Sequence, residues 1–106
     1  MIQTPRNSTK VFQVAVLFEE PEITDLFSSL IMLKGVRTRI LQPGEDLLEN
    51  ERIVTEPQYL NHIPENKKET SLLIGNSEAL KCAPGMTLSR PLTEMKVMQA
   101  IDKFLS

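Results

Sequence analysis

Three glutamates crowd behind one apolar stretch: Glu19, Glu20 and Glu22 follow Val11-Phe-Gln-Val-Ala-Val-Leu-Phe18. Carboxylates at that density hold a divalent cation through oxygen ligands, or they close on a cation of the chain itself. Further polar side chains end other strand-like runs: Gln42, Glu56, Asn76 and Ser77, and Ser89 with Arg90. If these runs form one parallel sheet, all of these residues come to its carboxyl edge, where ligands bind in open α/β sheets. An acidic group facing an Arg and a hydroxyl is the chemistry to be expected there.

Counts exclude much else. One Cys (Cys82) forbids an internal disulfide or a multi-Cys zinc site, and one His (His62) forbids a multi-His centre. Cys82 is expected to be a small buried hydrophobe, and His62 a surface loop residue. Four glycines lie far apart, so no Gly-rich phosphate loop exists. Lys+Arg is 12 and Asp+Glu 14, a net charge of −2, so no basic excess points to nucleic acid. No apolar run approaches the about 18 residues that cross a bilayer. The polar N-terminus lacks the apolar core of a signal peptide. The expectation is a cytoplasmic domain over residues 10–106 behind a loose tail over residues 1–9.

The elements that would position these residues alternate. Val11–Phe18 suits a central strand buried on both faces. Pro21 suits the first turn of a helix, and Ile23–Lys34 repeats at helical spacing, with Ile23, Leu26, Phe27, Leu30 and Leu33 on one face and Asp25, Ser28 and Ser29 opposite. Gly35 is the expected C-cap. Strands follow at Arg37–Leu41, Arg52–Thr55, Ser71–Ile74 and Met86–Ser89. Glu45–Asn50 reads as a short helix, Pro57–Asn66 as a brief one, and Ser77–Cys82 as another capped by Ser77. Pro91–Leu105 is the second strong helix. Strict alternation implies a doubly wound α/β fold, (βα)5, with a five-stranded parallel sheet in order 2-1-3-4-5 and a short or distorted third strand in a shortened middle.

Val14-Ala-Val-Leu-Phe-Glu-Glu-Pro-Glu-Ile23 resembles the opening of a response-regulator receiver domain, and Ser89-Arg90-Pro91 before an amphipathic helix resembles that family's Lys-Pro junction. Ser71 to Ser77 sits where receivers have their fourth strand and switch Thr or Ser. The resemblance spans about residues 10–106. It implies a two-component signalling role and a pocket at Glu19, Glu20, Glu56, Ser77 and Arg90. In receivers two acids hold Mg²⁺, an Asp after the third strand accepts the phosphoryl group, and the Lys contacts it. Here the first acid is Phe18, the Lys is Arg90, and the nearest acid after the third strand is Glu56. The chain therefore resembles a pseudo-receiver: no catalytic residue, no metal, no cofactor, and an expected Glu19–Arg90 ion pair in their place.

The resulting expectation is a phosphorylation-independent interaction module in bacterial signalling, not an enzyme, that binds a kinase, regulator or effector. Its docking surface would combine the fourth helix, fifth strand and last helix, with Arg90, Met95 and Met98. Taking Val97 as the core direction at ~100° per residue, Met95 falls roughly 160° away and Met98 roughly 100° away. Met is over-used at adaptable binding surfaces. The alternatives are a divergent, active Mg²⁺-dependent receiver and a small doubly wound ligand-binding protein.

Overall fold

A computed structural model describes residues 12–106; the tail expected over residues 1–9 lies outside them. Five parallel strands form one sheet in order β2-β1-β3-β4-β5: β1 Gln13–Leu17, β2 Thr38–Ile40, β3 Glu51–Thr55, β4 Leu72–Gly75 and β5 Met86–Ser89. The expected order holds. The third strand is not short. It runs five residues and pairs with β1 from Gln13↔Glu51 to Leu17↔Thr55. It starts one residue before the expected Arg52, at the charged Glu51. Arg52 stacks on the Phe12 ring at 4.1 Å and donates to the Phe104 carbonyl at 3.1 Å, so it serves the core rather than interrupting it.

Helices α1 (Pro21–Leu33) and α3 (Glu94–Leu105) cover one face of the sheet. Phe27 and Ile31 of α1 and Val97, Ile101 and Phe104 of α3 pack there on Val14, Val16, Val54, Leu72 and Ile74. The buried stripe of α1 is Thr24, Phe27, Ser28 and Ile31. This corrects the expected face: Ser28 turns inward, while Leu26 is 40% and Leu33 80% exposed. The helix is apolar on two sides, and the sheet took the side with Phe27 and Ile31. Gly35 ends α1 at φ +82°, donating its N–H to the Met32 carbonyl, the left-handed backbone that glycine adopts without steric cost.

The other face differs from the expected alternation. Residues 41–50 form no helix, and Ser77–Cys82 are turns. A 3₁₀ segment, Pro57–His62, and the short α2, Glu65–Lys68, are the helical cover there. Asn76, not Ser77, accepts the Ala79 N–H at 2.8 Å. The turn points Leu80 into the second core with Leu17, Leu41, Ile53, Ile63 and Leu73, and leaves Cys82 exposed rather than buried. His62 is exposed, as expected.

A buried ion pair does the work of the absent second helix. Glu51 is fully buried. Arg39 of β2 grips it with two hydrogen bonds, Nε at 2.8 Å and Nη2 at 2.7 Å, the bidentate geometry that favours Arg over Lys. Glu51 also accepts the Leu48 N–H at 2.8 Å, and Arg39 donates to the Asp46 carbonyl at 3.1 Å. Lys67 of α2 donates to the Glu49 and Glu51 carbonyls. The Arg39 hydrogen bonds hold the Glu51 carboxyl below its ordinary range, against the burial that pushes it up.

Removing one partner strands a buried charge, so Arg39→Ala is expected to lower unfolding free energy by about 3 kcal/mol or more, read from urea midpoints. Because the folded pKa of Glu51 is depressed, its stabilisation is present above the ordinary glutamate pKa of about 4.3 and drains away as pH falls through the folded value. Glu51→Gln is expected to flatten that acid limb.

Candidate functional site

The carboxyl edge of the sheet collects the residues expected there, in an altered arrangement. Phe18, directly after β1, is buried and stacks on Phe27 with centroids 5.2 Å apart. The residue expected in place of a receiver's first acid is thus part of the core. Glu19 and Glu20 are exposed at the head of α1. The Glu20 carbonyl accepts the Ile23 and Thr24 N–H groups and starts the helix.

Glu56 directly follows β3, and its Oε2 accepts the Glu19 backbone N–H at 2.8 Å. This bond ties the ends of β1 and β3 together, over the Thr55 hydroxyl that donates to the Leu17 carbonyl at 2.6 Å. Glu56, Gly75, Asn76 and Arg90 share an open cleft of about 280 Å³. Ser77 is exposed in the next turn and does not line that cleft, so the expected hydroxyl is displaced by Asn76. Among the described residues, no three His, Cys, Asp or Glu side chains are grouped to hold a metal ion.

Arg90 is anchored by its backbone, whose N–H donates to the Gly75 carbonyl at 2.9 Å. Its peptide bond to Pro91 is cis. The ion pair expected with Glu19 forms instead with Glu20, Nη2 to Oε1 at 3.8 Å, and both side chains are solvated, 40% and 63% exposed. The Glu19 main chain is held at Glu56, while Glu20 sits one residue nearer the start of α1. Lys96 was not foreseen. Its ammonium donates to the Ser89 and Pro91 carbonyls at 2.8 and 2.9 Å, clamping the junction that carries Arg90. A Lys three residues after the capping Thr93 gives no sign of this, because the target carbonyls belong to the preceding strand and turn.

The expected docking surface also changes. Between β4 and β5 there is a turn region rather than a fourth helix, so that surface loses one of its three parts. Met95 is 70% exposed and Met98 half-buried. At ~100° per residue, Met98 lies on the same flank of α3 as Asp102. Asp102 pairs with Lys34 at the end of α1 at 2.6 Å. The Met95–Met98 ridge therefore belongs with α1, not with β5.

No family model matches the sequence, and no curated protein does. The structure is similar to the crystal structure of FixJ-N, with a TM-score of 0.53 and 16% identity, over 89% of this chain and 93% of that one. The fold is receiver-like. At this identity the likeness concerns the fold alone. The described residues contain no helix long and apolar enough to cross a membrane.

The exposure of both partners makes Arg90–Glu20 a weak tie. Arg90→Ala is expected to cost under about 1 kcal/mol in chemical denaturation, far less than Arg39→Ala in the same assay.

Proposed function

We propose that this chain is a phosphorylation-independent, receiver-like interaction module of cytoplasmic bacterial signalling, with no turnover of its own. The observation that carries the reading is the state of the acidic edge: Phe18 is packed into the core, and the Glu56 carboxylate is bonded to the Glu19 main chain. Phosphoryl transfer from a small donor draws its rate from positioning and charge stabilisation. That requires two acids on one metal ion, a free carboxylate nucleophile and a cation on the phosphate. Here one acid is replaced by a phenyl ring, and the candidate nucleophile is a glutamate, whose extra methylene moves the carboxylate. Such a domain acts through a protein partner, and the exposed apolar side chains of α1 and α3 support a contact there.

A divergent active receiver has one observation in its favour: Glu56 and Arg90 line the same cleft. Incubation with Mg²⁺ and acetyl phosphate separates the two readings. The intact mass is expected to stay unchanged, and millimolar Mg²⁺ is expected to leave the melting temperature where it was. A stable phosphoryl adduct at Glu56, or at any other residue, favours the active receiver.

A further inference from the structure

We propose that the free edge of β5 is a latent strand-pairing surface for a second copy of this chain, held closed by the ammonium group of Lys96. The inference stands apart from the reading of the acidic edge above.

The backbone of β5 sets the frame. β5 is the last strand of the sheet, so one of its sides has no neighbouring strand. The Met86 and Arg90 N–H groups donate to the Ser71 and Gly75 carbonyls, each at 2.9 Å. Backbone groups alternate between the two sides of a strand, so those of Thr87 and Ser89 turn outward. Among the described residues, nothing pairs with the Thr87 and Ser89 N–H groups. Such an edge is a template for another chain, and charged side chains or Pro usually blunt it. Met86-Thr-Leu-Ser89 holds neither. The opposite edge, β2, is three residues long and carries Arg39.

Lys96 supplies the missing charge from α3. Its backbone N–H donates to the capping Thr93 hydroxyl at 3.3 Å, which fixes the base of the side chain. Its Nζ then donates to the Ser89 carbonyl at 2.8 Å and to the Pro91 carbonyl at 2.9 Å. Among the described residues, no carboxylate pairs with Lys96. The carbonyls at the end of β5 are thereby taken, and Pro91 has no N–H to offer.

The register left open names the occupant. An antiparallel copy, related by a two-fold axis beside Leu88, sets Thr87 opposite Ser89 of the other copy, and the reverse. Each such pair exchanges both of its N–H···O bonds, and the same residues serve on both sides, as an isologous contact demands. Half of these bonds need the Ser89 carbonyl, the atom that Lys96 holds. The same approach also brings the two ammonium groups toward each other, and like charges repel.

Sedimentation equilibrium on the full chain tests this. Lys96→Met keeps the length of the side chain and loses the ammonium. It is expected to associate at least tenfold more tightly than the native chain, with unchanged far-UV circular dichroism. Lys96→Gln is the second variant and is expected to act in the same direction. Lys96→Arg, which keeps a cation, is expected to behave as the native chain does. Adding Thr87→Pro to Lys96→Met deletes an outward N–H and is expected to restore the native mass. Amide hydrogen exchange on the native chain needs no variant: Thr87 and Ser89 are expected to exchange at least tenfold faster than Leu88. Variants at Lys96 that associate no more than the native chain overturn the proposal, as does association that Thr87→Pro leaves intact. Slow exchange at Thr87 and Ser89 in the native chain overturns it too, because the edge would then already be covered.

Discussion

The Glu51–Arg39 pair is the constraint on which the second face of the sheet depends. A parallel sheet must be covered on both faces, and the segment between β2 and β3 is too irregular to supply a helix. The pair anchors that segment through bonds from Arg39 to the Asp46 carbonyl and from Leu48 to Glu51. Lys67 then joins α2 to the same strand. The cost of burying a charge is offset because every polar atom involved is bonded: among the described residues, no buried side-chain nitrogen or oxygen lacks a partner.

The division of labour between the two faces follows. One face carries two real helices and the larger apolar cluster. The other carries a thin cover held by polar bonds over a smaller cluster. β1 and β3 sit between, and their carboxyl ends are drawn together by Glu56 and Thr55. This edge is closed by its own hydrogen bonds where an open metal site would need free carboxylates. Unsatisfied apolar surface lies elsewhere, on the outer flank of α1.

Much of the architecture was legible in the residues. Val11–Phe18 announces a central strand because it is apolar on both faces, and Pro21 and Gly35 mark the ends of α1 through fixed backbone preferences. Met86–Ser89 and the Pro-bounded last helix were equally plain, although that helix, capped by Thr93, begins at Glu94, three residues later than Pro91 suggests. The third strand was harder to read, because Glu51 and Arg52 open it with charges whose partners, Arg39 and Phe12, are distant in sequence.

By itself, the sequence determined the parallel sheet, its strand order and the set of polar residues at its carboxyl edge, since periodicity and chain breaks are local properties. Only the tertiary structure decided which of the two apolar sides of α1 is buried, that Arg90 pairs with Glu20 rather than Glu19, that Asn76 and not Ser77 lines the cleft, and that Cys82 is exposed. Each of these is a choice between near-equal local options separated by one or two residues. Packing against another element makes that choice, and periodicity cannot.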